Sequence, residues 1–331
     1  MIMITIRDVA EKSGVAISTV SKVLNNYPYV SEDTKHRVRE AIHELNYIPN
    51  TIAAALSSKQ TARTALLINL NTGTQVIDEI TLQYIHGALY AAREADIEII
   101  TIFLSMIAHM TPEEITRYLQ SQGISGLIIC GMTREDKYLK ELVDSRVFKC
   151  VLVDVPYVNE DTSCIGVDNE KAQYDVAKKT VTENKVKSVL YIAGKSNAFV
   201  TLKRLEGMKK LAEELGLKLF VRNGEFSELK AREIAFKYAG RRDAIVAASD
   251  LMAIGAMNAL IDMDIFRPVC GFDGITLMGY VGKQMNTVRQ DFYNIASKAV
   301  WELKRLFEGG KGQAVITGHE LVKLYYKDVI V

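Results

Sequence analysis

Apolar residues recur at helical spacing in three short segments of the first sixty residues. The first segment follows Thr5, and Asp8 three positions later completes a near capping box, which predicts a helix N-terminus. Gly14 predicts the end of this helix, because glycine adopts the left-handed conformation at a helix C-terminus without steric cost. The apolar face of the helix carries Ile6, Val9 and Ala10.

A second helix is predicted from about Ile17 to Asn25, with Val20 and Leu24 facing inward. A third helix begins at Ser31, which is a favourable N-cap. Two short helices that are joined by a glycine-containing turn and supported by a third are typical of a helix-turn-helix, whose outer face reads base edges in the major groove. A three-helix module without a DNA-binding role has the same periodicity, so the spacing alone leaves both interpretations open.

From about residue 62 the pattern changes to short apolar runs that alternate with amphipathic segments. This alternation predicts parallel sheets flanked by helices, and its length favours two lobes with a cleft between them. In open sheets of this kind ligands bind at the carboxyl ends of the strands. The predicted strands are Ala65–Leu70, Ile97–Phe103, Gly126–Cys130, Cys150–Val153, Val189–Ala193, Leu217–Val221, Ala244–Ala247 and Val269–Gly271. The predicted helices include Asp78–Arg93, Pro112–Gln122, Lys171–Glu183, Leu205–Leu215 and Leu251–Ile261.

Composition excludes several classes of protein. The chain has 331 residues, of which 48% are hydrophobic and 24% are charged, and these proportions exclude a wholly disordered or fibrous chain. The net charge of +1 identifies no partner. No apolar run approaches the ~18 residues that predict a transmembrane helix. The first residues lack the basic start, apolar stretch and cleavage site of a secretory signal, so we expect a cytoplasmic protein without a membrane partner.

The residues that commonly bind metals are dispersed. The four cysteines form no CxxC pair, and we expect them to be buried free thiols in a reducing compartment. The five histidines show no metal-ligand spacing, so the sequence predicts neither a metal site nor a cofactor.

The stretches TIRDVAEKSGVAISTVSKVLNN and VSEDTKHRVREAIHELNYIPN closely resemble the N-terminal domain of the lactose-repressor (LacI/GalR) family of bacterial transcription regulators. The resemblance implies a helix-turn-helix DNA-binding domain over residues 1–49, followed by a hinge helix and linker over 50–61. It also implies double-stranded operator DNA as a partner and a homodimer as the binding species. The implied DNA-binding residues are Thr5, Ile17, Ser18, Thr19, Ser21, Lys22, Asn25, Asn50, Ala53 and Leu56.

Within that set the resemblance implies separate roles. Ile17, Ser18 and Lys22 would read bases, while Thr19, Ser21 and Asn25 would hold phosphates or the groove edge. Asn50 would cap the hinge helix, and Leu56 would insert into a minor-groove base step and kink the DNA. Two residues depart from the family pattern. Ala16 replaces a helix-capping serine, at a cost of roughly 1 kcal/mol, and Ala54 replaces an arginine that many members carry in the hinge.

The segments IGVDNEKAQYDVAKKTV, KRLEG, AASDLMAIGAMNAL, GFDG and NTVRQD resemble the effector-binding core of the same family, which has the periplasmic-binding-protein type I architecture. The fold class implied is therefore α/β, with a small all-α domain before a core of two doubly wound parallel sheets over residues 62–331. The lobes are expected to be discontinuous, about 62–158 with 288–317 and 159–287 with 318–331. The implied effector-binding residues are Asp154, Arg204, Phe226, Ser249, Asp250, Asp273 and Gln290.

The chemistry of that set fits a small polyhydroxylated ligand. Arg204 offers a planar fork of donors, Asp273 accepts hydrogen bonds from vicinal hydroxyls, and Phe226 offers an apolar face to a ring. The loop after the first core strand departs from the family pattern. It carries Asp78–Thr81 where many sugar-binding members have a ring-stacking aromatic. The nature of the effector is therefore the prediction that this departure affects most.

Two other classes of protein, an enzyme and an exported sugar-binding protein, are disfavoured by the sequence. An enzyme is disfavoured because Gly194-Lys195-Ser196 resembles the end of a P-loop but Val189 stands where its first glycine is required, and no other catalytic motif is present. An exported sugar-binding protein shares the core architecture, but the helix-turn-helix and the missing signal disfavour it. Control by a protein co-regulator or by a purine stays open. The sequence thus predicts a non-enzymatic, DNA-binding homodimeric repressor of a carbohydrate-utilisation operon, with a sugar or sugar phosphate as effector.

Overall fold

The computed structural model describes residues 5–24, 29–45, 47, 62–69, 79–281 and 283–325. The chain divides into two compact units, Met1–Gln60 and Thr61–Val331.

The described part of the N-terminal unit contains three helices, α1 (Ile6–Ser13), α2 (Ile17–Leu24) and α3 (Glu32–Glu44). The predicted caps are present. The backbone N–H of Thr5 donates to Asp8 Oδ2 at 2.6 Å, and Ser31 Oγ accepts from the backbone N–H of Thr34 at 3.4 Å. Gly14 ends α1 with a φ of 67°. One apolar cluster joins the helices, and its buried members are Val9, Ala10, Val20, Val23, Val38, Ala41 and Tyr47.

The second unit contains two parallel-sheet lobes. The first part of the chain forms β1 (Ala62–Ile68), α4 (Glu79–Ala95), β2 (Ile97–Phe103), α5 (Leu104–Ile107), α6 (Pro112–Ser121), β3 (Ile124–Cys130), α7 (Lys137–Asp144), β4 (Lys149–Val153) and β5 (Thr162–Val167). The next part forms α8 (Asn169–Glu183), β6 (Ser188–Ala193), α9 (Phe199–Leu215), β7 (Lys218–Asn223), α10 (Glu228–Tyr238), β8 (Ala244–Ala247), α11 (Asp250–Asp262), β9 (Val269–Cys270) and β10 (Asn286–Arg289). The last elements are α12 (Phe292–Phe307), β11 (Ala314–Thr317) and β12 (Glu320–Lys323), and short 3-10 turns cover Ala239–Arg241 and Thr276–Tyr280.

Each lobe has one six-stranded sheet. The first sheet has the order β11-β5-β4-β3-β1-β2 and is parallel throughout. The second has the order β12-β10-β9-β8-β6-β7, in which only the edge strand β12 is antiparallel to its neighbour. Every residue of β3 is buried, which explains why this central strand reads as a continuous apolar run.

The predicted lobe boundaries need correction. We expected the first crossing near residue 158, but β5 adds its Thr162–Val167 backbone to the first sheet, so the chain crosses only after Val167. Likewise β10 belongs to the second sheet, and the return crossing follows Arg289 rather than residue 287. The edge strands β11 and β12 were not predicted because partial exposure breaks their apolar pattern. The internal strands β5 and β10 were not predicted because each begins with two buried polar residues, Thr162 and Ser163 in β5 and Asn286 and Thr287 in β10.

Candidate functional site

The outer face of α2 carries the predicted DNA-reading side chains. In this helix only Val20 and Val23 are fully buried. Ser18 and Lys22 are exposed, Ile17 is 42% exposed, and Thr19 and Ser21 are partly exposed. The inner residues pack against α1 and α3, so the helix offers a small, polar and singly basic edge of the kind that enters a major groove.

The structure describes only some of the other residues at the predicted DNA-binding surface. Thr5 is exposed, and its hydroxyl donates to Asp8 Oδ2 at 2.7 Å. Ala16 supplies its backbone carbonyl to the amides of Thr19 and Val20, at 2.8 and 3.1 Å, but has no side-chain acceptor for the start of α2. The remaining predicted residues, Asn25, Asn50, Ala53 and Leu56, lie outside the described residues.

A cavity of about 340 Å³ lies between the two lobes, and we call it the interlobe cavity. Its volume is near the lower end of the roughly 300–1,000 Å³ of small-molecule sites. It is lined by residues that follow the carboxyl ends of strands in both sheets, as the fold class predicts. From the first lobe these are Asn69, Met132, Thr133 and Asp154; from the second they are Lys195, Phe226, Ser249, Asp273 and Gln290.

Arg204 projects from α9 into the wall of the interlobe cavity and is only 4% exposed. Its Nε donates to Asn169 Oδ1 at 2.8 Å and its Nη1 donates to the carbonyl of Ala248 at 2.6 Å. Nη1 also lies 3.5 Å from Asp273 Oδ1, and the guanidinium stacks on the ring of Phe272 at 3.6 Å. The buried charge is therefore held by a fixed set of acceptors and presents one orientation to a ligand.

Two carboxylates face the interlobe cavity from opposite lobes. Burial raises the pKa of Asp273, although Arg204 and a hydrogen bond of 3.1 Å from Gln290 Nε2 oppose that shift. Withdrawal from solvent also raises the pKa of Asp154, which accepts from Asn169 Nδ2 at 3.3 Å. Asp154 and Asp273 have positive φ values, 60° and 126°. Backbone strain of this kind clusters at ligand sites, where surrounding contacts enforce it.

Asp250 does not contact the interlobe cavity, and the prediction that it binds the effector is wrong for this geometry. The side chain is fully buried at the start of α11. Its Oδ2 accepts from the amides of Gly274 and Ile275, at 2.7 and 2.9 Å, and its Oδ1 accepts from Thr287 Oγ1 at 2.6 Å. Its carboxylate thus holds the loop that carries Asp273. The neighbouring Ser249 does line the cavity, and its Oγ also caps α11.

Aromatic rings line the interlobe cavity even though the first-lobe loop lacks one. Sequence reasoning found Phe226 but missed Tyr84, Phe199 and Phe292. Tyr84 and Phe292 meet edge to face with centroids 5.4 Å apart. Phe199 begins α9 just after the Gly194 turn, so its place after a predicted strand end was an available signal.

The Gly194 turn is closely packed against the ring of Phe226. A Cβ at this position would lie 2.1 Å from Phe226 Cζ, so only glycine lets that ring pack on the turn. The resemblance of Gly194-Lys195-Ser196 to a P-loop is therefore explained by the seating of Phe226.

Two further searches cover only the described residues. His, Cys, Asp and Glu side chains in that part of the chain form no cluster of three that suits a metal ion. None of the helices there combines the length and the apolar character needed to cross a membrane.

Comparisons with known proteins agree with both units. Residues 5–50 match the family described as bacterial regulatory proteins, lacI family, and residues 82–267 match the family described as periplasmic binding proteins and sugar binding domain of LacI family. The transcriptional regulator RegA of Clostridium saccharobutylicum is 29% identical and is aligned over 91% of this chain and 92% of its own.

Solved structures share the fold. The transcriptional regulator CelR in complex with cellobiose has a TM-score of 0.71 at 23% identity, covering 97% of this chain and 99% of CelR. The lac repressor dimer bound to operator and the anti-inducer ONPF has a TM-score of 0.67 at 22% identity, covering 99% of each chain.

Proposed function

The chain belongs to the lacI family of bacterial regulatory proteins and is a DNA-binding transcriptional regulator with an effector-binding core; on that premise we propose that it is a repressor whose operator affinity is changed by an uncharged sugar in the interlobe cavity. Members of this family are regulators rather than enzymes. The observation that carries the proposal is the buried cluster of Arg204, Asp273 and Gln290 beside aromatic rings.

An uncharged polyol suits this cluster better than a phosphate ester. Arg204 is already paired with Asp273, and Lys195, which lines the cavity and takes part in no ion pair among the described residues, is an exposed side chain outside this buried cluster. Burying a phosphate requires a cation free to neutralise it, because a buried unpaired charge is very costly. Hydroxyl groups instead donate to Asp154 and Asp273. They also satisfy Gln290 Oε1, which is buried and has no hydrogen-bond partner among the described residues.

We propose that the DNA-reading surface is the outer face of α2, with Lys22 as the basic contact. Within the described residues Lys22 takes part in no ion pair, so its ammonium is available to a guanine edge or a phosphate. The small Ser18 allows the backbone of α2 to approach the groove. Ile17 offers an apolar contact that a thymine methyl group would cover.

We also propose that the protein acts as a homodimer. The helices α10 and α11 pack together in the second lobe and leave large apolar side chains exposed, namely Leu229, Phe236 and Ile261. Phe266 and Tyr280 add to the exposed apolar residues of this lobe, and Leu82, Leu89 and Tyr90 do so on α4 of the first lobe. Apolar side chains exposed on a pair of packed helices are candidates for an interaction surface. The lac repressor, which shares the fold, is a dimer on its operator.

The ligand would act through differential affinity. A sugar that binds one arrangement of the lobes more tightly shifts the population toward it, and operator affinity changes by the same coupling factor. Couplings of this kind typically amount to about 1–3 kcal/mol, or roughly 5- to 150-fold.

A thermal-shift panel on the full chain tests the effector class. The probes are cellobiose, maltose, ribose, glucose 6-phosphate and adenine, each at millimolar concentration. We expect an uncharged sugar to raise the melting temperature and glucose 6-phosphate to leave it unchanged. Stabilisation by glucose 6-phosphate or adenine alone would overturn the uncharged-sugar proposal. If nothing binds and a protein partner does, control by a co-regulator replaces it. Fluorescence anisotropy with a selected operator then measures the coupling.

A further inference from the structure

Besides the Asn169–Asp154 hydrogen bond, two contacts bridge the lobes beside the interlobe cavity. In the first, Glu79 at the start of α4 accepts from Thr276 of the second lobe. The Thr276 amide lies 2.9 Å from Glu79 Oε2 and 3.2 Å from Oε1, and Thr276 Oγ1 donates to Oε2 at 2.7 Å. We call this contact the Glu79 clasp. In the second, the amide of Arg134 donates to the carbonyl of Asn197 at 3.0 Å, and Asn197 Nδ2 donates to Glu135 Oε2 at 2.9 Å.

Glu79 lines the interlobe cavity, but its oxygens are already occupied. Besides the bonds from Thr276, Oε1 accepts from Gln83 Nε2 at 3.0 Å, one turn along α4. Among the described residues Glu79 takes part in no salt bridge, so the carboxylate is held by donors of the opposite lobe and of its own helix. The clasp is therefore made entirely by groups of the two lobes. It stands in the segment 78–81, where this sequence departs from the aromatic loop of its family.

Thr276 is attached rigidly to the ligand-facing Asp273. Between them, the amides of Gly274 and Ile275 both donate to the buried carboxylate of Asp250. The backbone of Asp273 is fixed as well, since its N–H donates to Val288 at 2.9 Å and its carbonyl accepts from Gln290 at 3.1 Å. These hydrogen bonds tie the segment from Asp273 to Ile275 to the second lobe on both sides, directly before Thr276.

We propose that Glu79 is a positioning residue for effector binding: through the clasp it holds the Asp273 loop against the first lobe and keeps the interlobe cavity closed before the ligand arrives. The Arg134 contact belongs to the same closed arrangement, so the two bridges open together. A prepared closed state raises ligand affinity because less of the binding energy goes into closure. The inference rests on the proposed function only in taking the ligand to occupy the interlobe cavity.

Hydrogen exchange of the ligand-free full chain, resolved to single amides, tests the proposal. The wild type should protect the amides of Thr276 and Arg134. Glu79→Ala should accelerate exchange of both by about 10-fold, as expected for losing hydrogen bonds to a charged group. The Ile275 amide, bonded to Asp250, should keep its rate. The matched control is Glu141→Ala, which removes an exposed glutamate from α7 of the first lobe and should change neither bridging amide.

Three outcomes overturn the proposal directly. An unprotected Thr276 amide in the wild type would show that the clasp does not form. Faster exchange at Thr276 alone would make it a local contact without effect on closure, and unchanged rates would remove it altogether. If Glu79→Ala also accelerates Ile275, the lobe itself has loosened. In that case Glu79→Gln, which keeps a carbonyl acceptor, must restore both bridging amides for the proposal to stand.

The assay contains neither sugar nor DNA, which separates the two proposals. A failed ligand panel would withdraw the uncharged-sugar effector and leave these exchange rates untouched. Failed exchange predictions would withdraw the clasp and leave the effector class standing.

Discussion

Asp250 offers the sharpest test of the core, because its burial and its hydrogen bonds predict a large loss of stability for one substitution and a small loss for another. Asp250→Ala deletes the acceptor of the Gly274 amide, the Ile275 amide and the Thr287 hydroxyl. Each lost hydrogen bond costs roughly 1 kcal/mol or more, and two of the three stranded donors, on Ile275 and Thr287, are buried, so the unfolding free energy of the core should fall by about 3–5 kcal/mol. Asp250→Asn is nearly isosteric and keeps one oxygen for the two amides, so it should cost far less.

The pH dependence of the unfolding free energy distinguishes the wild type from Asp250→Asn. Burial, followed by repulsion from Asp273, raises the pKa of Asp250 above the ordinary carboxyl value. The folded protein therefore holds this proton more tightly than the unfolded chain does. Its stabilising contribution is full below the unfolded pKa and is lost as pH rises through the folded pKa. Asp250→Asn has no proton to lose, so the wild type should lose stability relative to this variant as the pH rises from about 4 to about 7.

Urea unfolding monitored by circular dichroism at several pH values measures both effects. Thr287→Val is the control for a single lost donor and should cost about 1 kcal/mol. The reasoning is refuted if Asp250→Ala costs less than about 1 kcal/mol. It is also refuted if the difference between the wild type and Asp250→Asn stays constant across the pH series.

Four other predictions follow from the two units. Lys22→Ala should relax base choice at one operator position and cost about 1–3 kcal/mol in competition binding assays, whereas a uniform loss on all sequences would mark a phosphate contact. Gln290→Ala should weaken binding of the sugar found in the panel by about 10-fold in calorimetry; an unchanged affinity would remove Gln290 from the site. Phe236→Asp should convert the homodimer to a monomer in light scattering, and a persistent dimer would exclude this face. Gly87→Ala should lower the melting temperature despite alanine's helix propensity, because its Cβ would lie 2.1 Å from the carbonyl oxygen of Tyr293 in α12. An unchanged or raised melting temperature would show that α4 and α12 move apart to accommodate the methyl group.

Local chemistry determined the N-terminal unit and the central strands. The Thr5 cap, the Gly14 end and the Ser31 cap are short-range signals, and the structure confirms all three. Central strands such as Ile124–Cys130 are buried on both faces, so their apolar runs could be read directly. The family resemblance extended this to the fold class, which the comparisons confirm, and to a set of strand-end residues most of which line one cavity.

Only the tertiary structure decided which sheet each edge strand joins and which polar side chain faces the ligand. The sheet that β5 and β10 join depends on pairing with strands that are distant in sequence. The four to six residues of each strand do not by themselves indicate which strand will be the partner. Asp250 and Asp273 are both aspartates near strand ends. Asp250 accepts hydrogen bonds from backbone amides, whereas Asp273 faces the cavity. The Glu79 clasp joins residues 197 positions apart. Such contacts arise from the packing of two lobes, and no local pattern of apolar and polar residues encodes them.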